Sequence, residues 1–234
     1  NLMMSIHLNN LCIWYEPENL IIKNANLYLQ KGKIYGLLGK NGSGKTTLIN
    51  TICGVIPSFS GDIIINNLNI SKFNYQARLE RFYVPDSPPV ISQMTSKQYI
   101  SFVLNMYQQT LSQEHLLRIS KKYNFERYLD IRMNELSFGN KKKAALICSI
   151  LLDVPIKIFD EPLNGLDIES IDLFVQDLFK MTKEDKCVIL SSHLLDIVKK
   201  LTPNIIYINN KHCFQFTLND ESDIRKVLSD YDKE

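Results

Sequence analysis

A chain of 234 residues in which 45% are hydrophobic and 22% are charged has the composition of an ordinary globular domain, which excludes disorder over most of its length. The net charge of +2 is too small to indicate a nucleic-acid-binding protein. The longest uncharged apolar run, residues 144–152, is far shorter than the ~18 residues that a membrane span needs.

The first part of the chain predicts strands on either side of a glycine-rich loop. Residues 4–13 alternate apolar and polar side chains and are predicted to form an edge strand, and residues 20–29 alternate as a half-buried strand does. A helical pattern follows the loop over residues 48–53. The other predicted strands of this part cover residues 34–38, residues 62–70 as a pair, and residues 81–84.

Residues 87–152 differ in character from the rest of the chain. Pro88 and Pro89 precede long helical periodicity, which predicts a mainly helical lobe inserted between strands. Strand and helix patterns then alternate again, which indicates an α/β fold with a mostly parallel sheet. The predicted strands here cover residues 156–160, 187–191, 205–208 and 213–216, and the predicted helices cover residues 170–181 and 194–201.

The five cysteines form no close pairs in the sequence, and most lie inside apolar runs: Cys12, Cys53, Cys148, Cys187 and Cys213. This spacing is typical of reduced packing cysteines and fits neither a disulfide framework nor a metal site. No signal peptide is evident in the sequence. Together these observations favour a cytosolic protein.

The glycine-rich loop is the strongest functional pattern, and it reads Gly39-Lys40-Asn41-Gly42-Ser43-Gly44-Lys45-Thr46-Thr47. Glycines allow backbone N–H groups to surround an anion, and the start of the following helix adds its positive dipole end. Lys45 would reach the β- and γ-phosphates, and the Thr46 hydroxyl would bind Mg²⁺. An ordinary glycine turn is the alternative, but the flanking strand and helix favour a nucleoside triphosphate site.

A pair of carboxylates follows the apolar strand over residues 156–160. Asp160 should end near the phosphate loop, because ligands gather at the carboxyl ends of parallel strands, and its hard oxygen suits Mg²⁺. Glu161 is the better candidate for polarising an attacking water. The alternative is two solvated acids that cap a strand before Pro162.

A third pattern, Leu136-Ser137-Phe138-Gly139-Asn140-Lys141-Lys142-Lys143, precedes an apolar helix. Ser137 is placed to cap that helix, and Gly139 would leave its first N–H groups open to an anion. Without other context, a capped helix start with a solvated lysine face is the favoured interpretation.

The order of these motifs strongly resembles the nucleotide-binding subunit of ATP-binding cassette (ABC) transporters, over nearly the whole chain. The matching segments are Walker A (39–47), the Q-loop (83–86), the LSGGQ signature (136–140), the end of Walker B (159–161), the D-loop (163–167) and the switch histidine (191–193). This order is highly specific for the ABC class among phosphate-loop proteins.

The resemblance implies a P-loop NTPase fold in a single domain over residues 1–234, with ATP and Mg²⁺ as ligands. The fold would comprise a mostly parallel core sheet, an N-terminal antiparallel β-subdomain and an inserted α-helical subdomain. The implied boundaries are about 4–86 and 153–216 for the core with its β-subdomain, about 87–152 for the helical subdomain and about 217–234 for a C-terminal helical tail.

The resemblance also assigns roles to individual residues. Lys45, Glu161 and His193 would be catalytic, and His193 would hold the γ-phosphate and the attacking water in register, although a lone histidine is more often structural. The metal ligands would be Thr46, Asp86 and Asp160. The nucleotide would contact Tyr15 as its adenine-stacking ring (Trp14 is the neighbouring option), Gly39, Asn41, Gly42, Ser43, Gly44, Lys45, Thr46, Thr47, Ser137, Gly139 and Asp167.

A second copy of the chain, or a homologous cassette, is the first implied partner. In a head-to-tail dimer, each ATP would sit on one subunit's phosphate loop and be covered by Ser137 and Gly139 of the other subunit. The sequence departs from the family pattern at Phe138, Asn140 and Asp86. Asp86 replaces the usual glutamine and adds a negative charge beside the phosphates, which predicts slower hydrolysis or a different metal dependence.

The second implied partner is an integral-membrane permease on a separate chain. Residues 85–89 and 161–167 look like the exporter branch of the family, which includes drug, antimicrobial-peptide and lantibiotic exporters of bacteria. The implied location is cytoplasmic and peripheral, on the inner face of the cell membrane. A permease helix would dock on Val90, Ile91, Met94, Tyr99 and Phe102, for which the alternative is the core of the lobe.

Three other functions compete with transport. A soluble ABC ATPase acting on nucleic acid or ribosomes finds little support, because the sequence has no long coiled-coil insertion, second cassette or basic stripe. A phosphate-loop kinase is disfavoured by the signature segment and the switch histidine. A regulatory cassette with weak hydrolysis stays open because the signature is altered.

Overall fold

The computed structural model describes residues 4–56, 59–89, 91, 93–219 and 223–232. The strands are β1 (Met4–Trp14), β2 (Leu20–Gln30), β3 (Ile34–Gly39), β4 (Phe59–Ile65), β5 (Leu68–Asn69), β6 (Arg81–Val84), β7 (Ile156–Asp160), β8 (Cys187–Ser191), β9 (Asn204–Asn209) and β10 (His212–Thr217). The α-helices are α1 (Lys45–Ile52), α2 (Asn74–Leu79), α3 (Ser96–Met106), α4 (Gln113–Lys122), α5 (Phe138–Leu151), α6 (Ile168–Lys183), α7 (Leu195–Leu201) and α8 (Ile224–Tyr231).

The larger sheet has six strands in the order β10-β9-β3-β8-β7-β6. All neighbours pair in parallel except β10, which runs antiparallel to β9. Because β8 lies between β3 and β7, the carboxyl ends of these three strands meet at one edge of the sheet. Their last residues are Gly39, Asp160 and Ser191, so the sheet itself brings the glycine loop and the Walker B acid together.

The smaller sheet is antiparallel, with four strands in the order β2-β1-β4-β5. Leu8 of β1 pairs with Leu27 on one side and with Ile63 on the other, so β1 is an interior strand. The prediction of an edge strand at residues 4–13 is therefore wrong. The alternation in the sequence reflects one buried face, on which Ile6 and Leu8 are fully buried, and not an open edge.

Two apolar cores cover opposite faces of the larger sheet. Successive side chains of a strand point to opposite faces, so Leu37 joins the core shared with α1 and the smaller sheet, whereas Leu38 joins the core shared with the helices. Ile158 and Phe159 divide in the same way on β7. The mixed α/β architecture, with a parallel-rich sheet, an N-terminal antiparallel sheet and helices, confirms the predicted fold class.

Helices α3, α4 and α5 all lie within residues 87–152, the segment predicted to be helical. Serine and threonine side chains start them, since Thr95, Ser112 and Ser137 accept hydrogen bonds from backbone N–H groups three residues further on. The subdomain boundaries given above stay a prediction, and residues 220–222 and 233–234 of the tail lie outside the described part. Helix α2 was not predicted.

The five cysteines are free thiols in the structure. Burial raises the pKa of Cys53, Cys148, Cys187 and Cys213 to about 12 in each case, so these thiols stay protonated at neutral pH. In the part of the chain that the structure describes, no helix is both long and apolar enough to cross a bilayer.

Candidate nucleotide site

The glycine loop joins the end of β3 to the start of α1, as the sequence predicts. Gly44 has a φ of 108°, which residues with a side chain rarely adopt. At Gly39 a Cβ atom would lie 2.4 Å from the Ser43 hydroxyl oxygen and 2.8 Å from the Ile208 carbonyl oxygen, so only glycine fits there. These two positions fold the loop tightly across the end of the sheet and leave the N-terminal end of α1 directed at it.

Lys45 begins α1 and folds back over the loop. Its Nζ donates hydrogen bonds to the carbonyl oxygens of Gly39, at 2.7 Å, and Lys40, at 3.2 Å. Burial lowers the pKa of Lys45, while the negative charges of Glu161 and Asp160 oppose that shift. The loop therefore holds a positively charged ammonium group that can bind an anion.

Asp160 is the centre of a hydrogen-bonded cluster at the end of β7. Its Oδ2 accepts hydrogen bonds from the Thr46 hydroxyl at 2.8 Å and from the Tyr83 hydroxyl at 3.5 Å, and its Oδ1 accepts one from the Ser191 hydroxyl. The residue is only 4% exposed. Burial, followed by the charge of Asp160, raises the pKa of Tyr83.

Glu161 lies next to this cluster with its backbone in an unusual conformation. Its φ is 45°, in the left-handed region, and its N–H donates to both the hydroxyl and the carbonyl oxygen of Ser191, at 2.9 and 3.2 Å. Its Oε2 is 3.0 Å from Nδ1 of His193. The predicted base and the predicted switch histidine thus touch each other within one chain.

A cavity of about 320 Å³ unites most of the predicted site residues. Tyr15 stands at its rim, 56% exposed, with its hydroxyl 3.1 Å from Oγ1 of Thr47. A polar cleft with a lysine, carboxylates and an exposed ring fits a phosphorylated ligand with an aromatic base. The predicted residues that line it are Tyr15, Asn41, Gly42, Gly44, Lys45, Thr46, Thr47, Asp86, Asp160 and Glu161.

Ser137, Gly139 and Asp167 do not line this cavity. The Ser137 hydroxyl oxygen accepts a hydrogen bond from the N–H of Asn140 at 3.3 Å and starts α5. A Cβ atom at Gly139 would lie 2.5 Å from the Gly165 carbonyl oxygen, so close packing with the D-loop explains this glycine within one chain.

Asp167 starts α6, because its Oδ1 accepts a hydrogen bond from the N–H of Ser170 at 2.9 Å. Its Oδ2 is 2.8 Å from Nζ of Lys143. The hydrogen bond from Lys143, followed by that from Ser170, lowers the pKa of Asp167 to about 2. Asp167 therefore carries a negative charge on the surface from which α5 and α6 start.

Sequence reasoning missed Lys142. The interpretation of residues 141–143 as a solvated lysine face is wrong for this lysine, whose side chain is fully buried. Its Nζ donates to Asp86, 3.2 Å from Oδ1, and to the Glu161 carbonyl oxygen at 3.2 Å. No pattern in the sequence indicates this burial, since three successive lysines are ordinarily a solvated run.

Ser191 was noted only as part of the switch-histidine motif, yet it is fully buried and bonds both Asp160 and Glu161. Its position at the carboxyl end of the strand predicted over residues 187–191 was the available signal, because ligands gather at such strand ends. Ser191 therefore connects the predicted metal ligand to the predicted base.

The oxygen atoms of Thr46 and Asp160 fit a magnesium ion. Mg²⁺ is usually held by one or two carboxylates together with phosphate oxygens and waters, and this pair opens into the cavity beside Lys45. Within the described residues no group of three or more His, Cys, Asp and Glu side chains could hold a metal alone. The donor set thus suits an ion delivered with a phosphate ligand.

Comparison with known proteins points in the same direction. A family model described as ABC transporter matches residues 22–164. The putative ABC transporter ATP-binding protein AlbC of Bacillus subtilis (strain 168) is 36% identical over 230 residues, which cover 96% of this chain and 96% of that protein. The cytochrome c biogenesis ATP-binding export protein CcmA of Reclinomonas americana is 34% identical over 204 residues, covering 86% and 90%.

Solved structures share the fold at lower identity. The structure of an ATP-binding subunit of an ABC transporter superposes with a TM-score of 0.89 at 22% identity, and the match covers 97% of this chain and 98% of that one. A bacterial ABC transporter cassette solved as a dimer gives a TM-score of 0.81 at 23% identity, covering 92% and 99%.

Proposed function

Because the chain belongs to the ABC transporter family, as an ATP-binding subunit, we propose that it hydrolyses ATP with Mg²⁺ to power a separately encoded membrane permease. The observation that carries the proposal is the cavity at the carboxyl edge of the parallel sheet. There the glycine loop, Lys45, the Thr46–Asp160 pair and Glu161 surround one space of about 320 Å³. These groups can bind a triphosphate and deliver a water to it.

In this mechanism the loop amides and Lys45 bind the phosphates of ATP. Glu161 accepts a proton from the attacking water, and His193, 3.0 Å from its carboxylate, orients that carboxylate and the γ-phosphate. Thr46 and Asp160 would hold Mg²⁺, which neutralises phosphate charge when bound. Tyr15 would stack on the adenine at the rim of the cavity.

The same proposal includes a head-to-tail dimer. Ser137, Gly139 and Asp167 lie away from the cavity, at the starts of α5 and α6, so they would act on the ATP of a second copy. The start of α5 would offer to an anion those backbone N–H groups that Ser137 does not cap. Phe138, at the position where the family has a glycine, is 45% exposed on this surface and is available to the facing subunit.

For the permease, the structure offers an apolar groove of about 300 Å³ between β6 and α3. Ile91, Tyr99 and Phe102 line it; Tyr99 is core at 5% exposure, whereas Phe102 is 41% exposed. Met94 packs beside them on the helical core, and Val90 lies outside the described residues. Tyr99 therefore belongs to the core of the lobe, whereas the exposure of Phe102 supports the proposal that it receives a permease helix.

An adjoining cavity of about 470 Å³ indicates the chemistry of that helix. Arg78 and Arg81 line this cavity, and none of its described lining residues is acidic. A permease helix that carries apolar residues and one carboxylate would complement both spaces. Phe102→Glu should abolish copurification with the permease while ATP binding is unchanged.

We also propose export as the direction of transport and a drug, peptide or lantibiotic as the cargo. This rests on the exporter-like segments at residues 85–89 and 161–167, and it agrees with the name of CcmA as an export protein. The location that follows is peripheral, on the cytoplasmic face of the membrane.

The deciding experiment is phosphate release by the purified chain with ATP and Mg²⁺ and without any phosphate acceptor. We expect steady hydrolysis that Lys45→Met lowers and that the permease stimulates. A phosphate-loop kinase would need an acceptor, and a regulatory cassette would bind ATP with only weak hydrolysis that the permease does not stimulate, so either result would overturn the proposal.

A further inference from the structure

Lys142 is a charged side chain with no access to water. It lies in the first turns of α5 and is fully buried. A buried ammonium needs compensating charge and hydrogen bonds, because removing a charge from water is energetically costly. Its surroundings therefore indicate what this lysine is for.

Three acceptors from two strand ends surround the Lys142 ammonium. It donates to the Asp86 carbonyl oxygen, to Oδ1 of Asp86 at 3.2 Å and to the Glu161 carbonyl oxygen at 3.2 Å. Asp86 follows β6, and Glu161 follows β7, so one side chain ties both strand ends to the helix that begins at Ser137. An ammonium has three donors, and all three are used.

Asp86 faces this ammonium from the wall of the ATP cavity. Its Oδ1 also lies 3.4 Å from the side-chain amide nitrogen of Asn164, which belongs to the turn after Glu161. The Asp86 side chain is 47% exposed, so it is the half-exposed member of an ion pair whose other member is buried. Its negative charge is balanced within the chain.

Phe138 covers the same lysine from the other side. Its ring centroid is 5.5 Å from Nζ of Lys142, within the range of a cation–π contact. The ring also packs against Gly165, where a Cβ atom would lie 2.5 Å from it. Two of the departures from the family pattern, Asp86 and Phe138, thus meet at Lys142.

We propose that Lys142 is a positioning residue of the ATP site, and that Asp86 serves as its counter-charge instead of as a ligand of Mg²⁺. Lys142 holds the Glu161 carbonyl group and thereby keeps the base in its left-handed backbone conformation. It also makes the start of α5 and the end of β7 move together. The inference rests on the proposed ATPase function for its kinetic part only.

The test is a double-mutant cycle of Asp86→Asn and Lys142→Met in the full chain, read first by thermal unfolding without nucleotide. Each single variant should lower Tm, because it leaves a charge without its partner, and the double variant should recover most of the Asp86→Asn loss. Lys141→Met, on the preceding residue of α5, is the matched control and should leave Tm unchanged. Additive losses would refute the ion pair.

The second readout separates ATP binding from turnover. Lys142→Met should weaken Mg²⁺–ATP binding about fivefold, because Asp86 then repels the phosphates, and lower kcat about tenfold through Glu161. The double variant should regain the binding but not kcat. Equal recovery of both would contradict the role of Lys142 in holding Glu161.

A magnesium titration decides between the two assignments of Asp86 without any variant at Lys142. If Asp86 is a counter-charge, Asp86→Asn leaves the Mg²⁺ concentration for half-maximal ATP binding within about twofold of wild type. A tenfold rise would make Asp86 a metal ligand and overturn the proposal. Absence of hydrolysis in every variant, wild type included, would refute the proposed function, while the unfolding cycle would still decide the ion pair.

Discussion

The cavity at the end of the parallel sheet and the surface where α5 and α6 start are built in opposite ways. In and beside the cavity, the predicted site residues bond each other: Thr46 donates to Asp160, and Oε2 of Glu161 lies 3.0 Å from Nδ1 of His193. At the helix starts, the side-chain oxygen atoms of Ser137 and Asp167 accept hydrogen bonds from backbone N–H groups and cap their own helices. The first region is preformed within one chain, and the second presents helix ends to whatever faces them.

The sheet topology explains the difference. Backbone ladders fix the ends of β3, β7 and β8 side by side, so residues distant in sequence meet without help from another molecule. The starts of α5 and α6 lie outside these ladders. A variant in the cavity should therefore change ATP binding by the isolated chain, whereas a variant of Ser137 should change hydrolysis only when two chains meet.

The largest expected effect is that of Glu161→Gln, which keeps the size of the side chain but removes the proton acceptor. We expect kcat to fall by roughly 100-fold or more, while ATP binds and traps a dimer visible by size-exclusion chromatography. Glu169→Gln, an exposed glutamate in the first turn of α6, is the control and should retain activity. Unchanged phosphate release from Glu161→Gln would exclude Glu161 as the base.

Lys45→Met should come next, with a loss of ATP affinity of about 10- to 100-fold measured by titration of the isolated chain. The loop amides would remain, but the ammonium that complements the phosphates would be gone. Lys40→Met is the matched control from the same loop; Lys40 is 75% exposed and pairs with Asp232, so we expect affinity within about twofold of wild type. Similar losses in both variants would mean that general positive charge binds the nucleotide.

Ser137→Gly addresses the other region. Glycine is tolerated at a helix start at a cost of a few tenths of a kcal/mol, so the helix should persist without the hydroxyl. We expect about tenfold slower hydrolysis with unchanged ATP binding to the isolated chain. Ser112→Gly removes the equivalent cap of α4 and should leave hydrolysis unchanged. If Ser137→Gly and Ser112→Gly have the same effect on hydrolysis, the role of Ser137 is limited to capping α5.

The smallest effect concerns pH and the Asp167–Lys143 pair. The pKa of Asp167 is lowered to about 2 from an unfolded value near 3.9, so its contribution to stability is present above about pH 4 and is lost as pH falls toward 2. Because the side chain is 55% exposed, that contribution should be below about 1 kcal/mol. The stability difference between wild type and Asp167→Asn, from urea unfolding, should shrink between pH 5 and pH 2.5. If the stability difference stayed constant with pH, the charge of Asp167 would not contribute, and only its hydrogen bond to the N–H of Ser170 would stabilise the protein.

The sequence was sufficient for most of the fold, because its periodicities are strong. The strand over residues 187–191 was predicted at the bounds that the structure shows, and Ser137 was correctly placed as the cap of α5. Helix α2 was missed because it is six residues long and buries only Ala77, which leaves no periodic pattern to detect.

The site residues that belong to sequence motifs could be predicted. The residue that reaches the site only through tertiary packing could not. The glycine loop, Asp160 and Glu161 follow from residue types next to predicted strands. Lys142 could not be recognised, because burial of one lysine among three depends on which helix face meets the strand ends. The assignments of the site residues stay predictions. The variants of Glu161, Lys45 and Ser137 described above test three of them.

The φ of 45° at Glu161 implies that thermal stability and the proposed catalytic role favour different residues at this position. Left-handed geometry costs an ordinary residue about 1 kcal/mol, whereas asparagine adopts it more readily. Selection for thermal stability alone would favour Glu161→Asn, which would remove the proposed proton acceptor. A screen of variants for thermostability should therefore recover proteins that are more stable but inactive, with a substitution at position 161.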